Sequence, residues 1–244
     1  MTDTLGIRII HSPIKTCVKY TLLGLLVILL AYQLFLLVNV ILYRFINPSS
    51  TAFMRIQALN IADDVSPKIL YNWSDYEQID KDIKKAIIAS EDSRFTQHFG
   101  VEWQAIIDAY YFNLKHENAN KVKIRGGSTI SQQLAKNLFL SQKRSYLRKA
   151  QELVITYMIE IIMPKQRIYE LYLNTAQLGE RTFGVTAASR VYFKQDVSKI
   201  SSAQAATLAA LLPNPILYSQ HLKSSYMRNR INTIQARMPL VSIP

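Results

Sequence analysis

Residues 87–100 read IIASEDSRFTQHFG. Ile79, Ile83, Ala86 and Ile87 share one face at helical spacing, so a helix is predicted to run to about Ser90 and to deliver Glu91 at its end. It stops at adjacent carboxylates, followed by an aromatic, a histidine and a glycine. Carboxylates are rarely buried without a partner. Glu91 and Asp92 are therefore either paired with other groups or used in chemistry.

Helical patterns continue downstream. After Gly100, an apolar stripe runs through Trp103, Ile106, Ile107, Tyr110, Tyr111 and Leu114. The stretch RGGSTISQQLAKNLFL (125–140) opens on paired glycines that suit a tight turn or close backbone approach. Thr129 and Gln132 then form a capping box that should start a helix. SYLRKAQELVITYMIEIIM (145–163) reads as a long helix ended by Pro164, with Arg148, Glu152, Thr156 and Glu160 on one line. A further helix should begin near Pro164, and ISSAQAATLAALLPNP (200–215) carries a Ser201–Gln204 capping box and a stop at Pro213. Convincing alternating strands, repeats and low-complexity tracts are absent. The fold class is mainly α.

Upstream, residues 21–43 contain no charged residue. As a helix of this length the segment spans about 35 Å, enough for a hydrocarbon core of roughly 30 Å. The apolar region of a cleaved signal peptide is shorter, about 7–15 residues, which favours a retained anchor. Arg8, Lys15 and Lys19 precede it against Asp3 alone, so the N-terminus is expected to stay cytoplasmic. The expected organisation is a cytoplasmic N-terminus (1–19), a transmembrane helix (20–43), a connecting region (44–80) and one helical domain (81–244).

The net charge of +12 calls for an anionic partner: nucleic acid, anionic lipid or a phosphorylated substrate. A single cysteine, Cys17, excludes an intrachain disulfide framework, and the four histidines show no metal-ligand spacing. Between Glu117 and Glu152 there is no acidic residue, while Lys121, Lys123, Arg125, Lys136, Lys143, Arg144, Arg148 and Lys149 supply cations around a glycine turn and two helices. Such a run is often just a solvated face, but this placement lets the cations converge on phosphate. Glu152, with Arg148 and Lys149 one turn before it, reads by itself as a helical salt bridge. His98 reads as an orienting histidine, and Phe95 and Phe99 as residues packed under the loop.

Taken in order, EDSRFTQHFG, RGGSTISQQLAKN, RKAQELVITYMIE, KQRIYELYLNTAQLGERTFGVTAASRVYF and LAALLPNP resemble the motifs of peptidoglycan glycosyltransferases, in their monofunctional biosynthetic form. The resemblance covers about residues 80–220. It implies a lysozyme-like, two-lobed helical domain behind the single transmembrane helix, with the apolar residues of 101–140 dipping into the bilayer.

By the same resemblance Glu91 is the general base on the acceptor sugar's 4-hydroxyl. Glu152 is the second catalytic glutamate, at the donor's anomeric centre or holding a metal. Lys136, Arg144, Arg148 and Lys149 match cations on the donor pyrophosphate. Asp92, Phe95, His98, Ser128, Thr129, Gln133 and Asn137 match positions that shape the substrate cleft. No tightly bound cofactor is implied; a divalent cation, Mg2+ or Mn2+, is left open near Glu152. The implied partners are lipid II, the growing glycan chain, the bilayer of the bacterial inner membrane and other cell-wall synthesis or division proteins, and no nucleic acid. The implied location of the catalytic domain is the periplasm.

Two positions depart from the family pattern: Ser131 replaces a usual threonine, and Asp108 stands where arginine is common. A membrane-bound glycan hydrolase using the same carboxylates, and a tethered anionic-lipid or nucleic-acid binder, are the alternatives. The first has no need of the cations and the second no need of the glutamates.

Overall fold

The computed structural model describes residues 13–61, 68–116, 126–141, 143 and 145–244. It divides into two compact units, residues 1–39 and residues 40–244. In the first, the described chain is the body of helix α1 (Pro13–Phe45). Thr16–Phe45 is long and apolar enough to cross a bilayer by length and composition, and Leu22, Leu23, Leu25 and Ile28 are exposed along it. The helix begins before the expected boundary at residue 20. The end of the uncharged run marks where hydrocarbon burial stops being favourable, and backbone hydrogen bonding carries on past it.

The second unit is mainly α. Residues 44–80, expected as a connecting region, carry helix α2 (Ala52–Asn60), capped by Thr51, and strand β1 (Leu70–Tyr71). β1 pairs in parallel with β2 (Thr182–Phe183), Leu70 opposite Thr182. Strands of two residues have no periodicity to read, which is why the pattern analysis passes over them. Farther on, the Asn174 side chain accepts from Ser74 N–H and donates to Ser74 C=O, pinning this segment from across the fold.

The helices pack in two groups. In one, α3 (Lys81–Glu91) lies on α9 (Ser202–Leu211), and α11 (Ser225–Arg237) packs against both. In the other, α5 (Ile130–Phe139) packs on α6 (Tyr146–Ile162) and α7 (Lys165–Thr175). α8 (Val185–Phe193) touches both α7 and α9, and α10 (Pro215–Gln220) follows α9. The buried faces of α3 and α5 are the ones their apolar spacing predicts: Ile83, Ala86 and Ile87 on one, with Ile88 buried beside them, and Ile130, Leu134 and Leu138 on the other. Both capping boxes form as expected, Thr129 with Gln132 and Ser201 with Gln204. Pro164 is the N-cap of α7, one place before the first helical residue.

The stripe on α4 (Trp103–Lys115) lies at the surface: Trp103, Ile107, Tyr110, Tyr111 and Leu114 are exposed and Ala109 alone of that helix is buried. Periodicity reports that a helix has an apolar face, not what covers it. One expectation needs correcting: Phe99 does not pack under the loop but is exposed, stacked beside Tyr157, whereas Phe95 is fully buried against Tyr169.

Gly100 closes the 91–100 loop at φ +77°. A Cβ there would lie 2.8 Å from Glu160 Cγ and 2.9 Å from Thr156 Cγ2, so α6 presses on this backbone. Its carbonyl accepts from the Thr129 hydroxyl at the start of α5. Gly100→Ala is expected to cost about 2–4 kcal/mol, combining left-handed strain with overpacking. Urea unfolding of the detergent-solubilised chain measures it, and a midpoint equal to the parent's would refute the packing argument.

Candidate active site

The paired carboxylates at the end of α3 have different fates. Asp92 is the C-cap of the helix and is buried. Its two oxygens lie 2.9 and 3.0 Å from His98 Nε2, and Oδ2 accepts the Ile130 N–H, 3.0 Å, at the first turn of α5. An anion at a helix N-terminus is well placed. Asp92 therefore ties the end of one helix to the start of another, and His98 orients it.

Glu91 faces a cleft. Its Oε1 accepts from the Ser90 hydroxyl, 2.9 Å, and its Oε2 from the Gln133 amide, 3.1 Å. The Gln133 carbonyl accepts from the Tyr172 hydroxyl, 2.9 Å, which turns the amide nitrogen toward Glu91. Tyr172 is fully buried, and burial holds its phenol well above the usual tyrosine range, so it stays a donor. Arg230 of α11 completes the surroundings, 3.5 Å from Glu91 Oε1.

Glu152, 3% exposed on α6, is enclosed by cations. Arg148 Nη1 donates to Oε2 at 2.7 Å and Lys149 Nζ to Oε1 at 2.5 Å. Lys149 also donates to the Ser128 hydroxyl, 3.1 Å. Lys136, from α5, is held below the ordinary lysine range by burial, opposed by Glu152 and reinforced by Arg148 and Lys149. A single buried carboxylate thus serves three cations, leaving surplus positive charge. Arg148 Nε is buried with no partner among the described residues, a donor still to be satisfied.

The two groups share a surface. A cleft of about 690 Å³ is lined by Glu91, Asp108, Ser128, Thr129, Gln133 and Arg230. A second, of about 450 Å³, is lined by Gln133, Lys136, Asn137, Arg148, Tyr172 and Pro213. Gln133 and Pro213 line both, so the clefts meet there. Phe95 does not reach the surface and supports the loop from the core. Arg144 lies outside the described residues, as do Lys121, Lys123 and Arg125. Ser131 keeps the hydroxyl that threonine would supply and donates it to buried Glu160, which also pairs with Lys165 at 2.8 Å. Asp108 sits on the cleft wall, accepting from Gln104 at 2.9 Å.

Two places bear on metal binding. Asp92, His98 and Glu102 are close enough to share an ion. Asp92 is however consumed by His98 and Ile130, and Glu102 pairs with Arg94 at 3.1 Å. At Glu152 both oxygens are taken by cations, so a divalent ion there would have to displace one. Neither donor set fits a protein-held divalent ion.

Sequence reasoning did not single out Ser90, Tyr172 or Arg230 as site residues. Tyr172 is in the ELYLN stretch and reads as helix core, while Arg230 is on a polar helix with no local signal linking it to Glu91.

A family model described as transglycosylase matches residues 63–239. A biosynthetic peptidoglycan transglycosylase of Bordetella pertussis is 46% identical over 224 residues, covering 91% of this chain and 93% of that protein. Proteins of the same description from Laribacter hongkongensis and Burkholderia orbicola are 42% and 44% identical, covering 91% and 88% of this chain and 96% and 86% of their own lengths. The motifs match in order, Glu91 and the cations Lys136 and Arg148 line joined clefts, and the similarity runs through most of the molecule: the chain belongs to the transglycosylase family.

Proposed function

We propose that this chain is a membrane-anchored peptidoglycan glycosyltransferase that polymerises glycan strands from a lipid-pyrophosphate-linked disaccharide-pentapeptide. The observation that carries the reading is the junction at Gln133, where the cleft of Glu91 meets the cleft of Lys136 and Arg148. One side offers a proton acceptor, the other surplus positive charge. Glycosyl transfer from a pyrophosphate donor needs both.

Glu91 acts as the base. A carboxylate has about four lone-pair sites. Ser90 and Arg230 occupy Oε1, and Gln133 takes one site on Oε2. The remaining Oε2 lone pair accepts the proton of the acceptor's 4-hydroxyl as its oxygen attacks the donor's anomeric carbon. The carbon–oxygen bond to pyrophosphate breaks on the opposite face, and its electron pair leaves with lipid pyrophosphate. A single displacement inverts the α-linked donor to a β-1,4 bond. Lys136, Arg148 and Lys149 stabilise negative charge that grows on the leaving group. Glu152 keeps those cations together in a buried place where they would otherwise repel one another. A Mg2+ or Mn2+ ion, where one takes part, would arrive with the pyrophosphate and not on Glu152.

The apolar helix fits a single-pass anchor that keeps the chain with its lipid-linked substrates. With Arg8, Lys15 and Lys19 ahead of its uncharged run, the N-terminus is assigned to the cytoplasm and the second unit to the periplasmic face of the bacterial inner membrane. The exposed apolar residues of α4 suit the headgroup region. Other cell-wall synthesis or division proteins are proposed as partners.

Glu91→Gln should lower polymerisation by about 10²–10⁴-fold, the usual worth of a general base, with an unchanged unfolding midpoint. Gel separation of glycan products from purified protein and lipid-linked precursor reads this out. Polymer formed at the parent rate would remove Glu91 from the mechanism, and shortening of preformed glycan would favour a hydrolase.

A second expectation concerns pH. Because burial lowers the Lys136 pKa, its ammonium loses its proton below the ordinary lysine value of 10.5. Attraction for pyrophosphate is therefore lost as pH rises through that lowered value. The alkaline limb of kcat/KM should move upward in Lys136→Arg, whose guanidinium stays charged. An identical alkaline limb in both proteins would show that another group sets it.

A further inference from the structure

We propose that Arg230 is a positioning residue for the base: with Ser90 it holds Glu91 Oε1, so that Oε2 stays turned toward the acceptor hydroxyl. The inference rests on the reading of Glu91 as the general base. Arg230 Nη2 donates to Ser90 Oγ at 2.9 Å and lies 3.5 Å from Glu91 Oε1. Ser90 Oγ has one hydrogen and two acceptors within reach, Glu91 Oε1 at 2.9 Å and Ala209 C=O at 3.3 Å. Since the guanidinium donates to that oxygen, the hydroxyl proton is free to point to the nearer one. Arg230, Ser90 and Glu91 then form a directed chain ending on one carboxylate oxygen.

The position of Glu91 makes such support necessary. It is the last residue of α3, where the helix dipole is negative and disfavours an anion. The last turn of α3 carries no basic residue of its own. Compensation must come from another element, and α11 supplies it from 140 residues beyond Ser90. The Glu91 side chain is 10% exposed and that of Arg230 25%, so the pair is screened only in part. Arg230 Nε is buried and has no partner among the described residues. Among the described residues, the hydrogen bond and ion pair that Arg230 makes both go to the Ser90–Glu91 unit, so the side chain is aimed at the base.

A residue that only pins α11 to α3 would affect stability. A substrate-binding residue would change KM. A positioning residue changes turnover.

The test uses the full chain in detergent with lipid-linked disaccharide-pentapeptide, comparing Arg230→Gln, Arg230→Lys, Ser90→Ala and Glu91→Gln by steady-state kinetics and thermal unfolding. Arg230→Gln should lower kcat about 10- to 100-fold, as expected for a misplaced catalytic group. KM should stay within about twofold. Arg230→Lys, which keeps the charge, should recover most of the lost turnover, and Ser90→Ala should lower kcat in the same direction by less. If the glutamine variant does not fold, the lysine and Ser90 variants carry the decision. A rise in KM at constant kcat, or parental kcat in Arg230→Gln, overturns the proposal, as does parental kcat in Ser90→Ala should the glutamine variant not fold. Full activity in Glu91→Gln overturns the base assignment instead. An inactive Glu91→Gln beside a fully active Arg230→Gln removes only the role given to Arg230.

Discussion

The buried Asp92 carboxylate, shared between His98 Nε2 and the Ile130 N–H, is the contact on which the rest of the site depends. It joins the last turn of α3 to the first turn of α5. The residue before it is Glu91, and one turn into α5 lies Gln133. Fixing Asp92 therefore sets the spacing of both. The contact is favourable because a helix N-terminus leaves N–H groups unpaired and attracts negative charge. Gly100 reinforces it from the other end of the loop, with its carbonyl on Thr129 and its bare α-carbon against α6.

From that junction the site divides its labour between charges of opposite sign. Glu91 receives hydrogen bonds from separate parts of the fold: Ser90 from its own helix, Gln133 from α5, with Arg230 from α11 close by. Each favours a carboxylate that can accept, and together they leave one face open. Glu152 has the reverse situation, one acid among cations, both of its oxygens occupied. Its burial would be costly without those partners. With them, it becomes a mould for cations whose remaining charge faces the second cleft. The same kind of side chain thus serves as base in one place and as scaffold in the other.

Much of this is legible in the residues. The capping boxes at Thr129 and Ser201, the buried stripes of α3 and α5, the apolar N-terminal helix and the i, i+4 line from Arg148 to Glu160 all follow local rules, and the structure contains each of them. The motif order points to the glutamates and to their cations. Other readings fail for definite reasons. Phe95 and Phe99 are indistinguishable by type, yet one is core and the other exposed. The strands β1 and β2 are too short to carry a pattern.

What the sequence by itself determined is therefore whatever depends on neighbours within about two helical turns: helix starts and stops, apolar faces, and the Glu152–Lys149–Arg148 cluster on a single helix. Tertiary structure alone decided which of the paired carboxylates is buried as a brace and which faces the cleft. It also decided that Tyr172 would orient Gln133 and that Arg230 would meet Ser90. These contacts join residues far apart along the chain, and their geometry is set by how α3, α5, α7 and α11 pack. Local propensity does not reach across such distances.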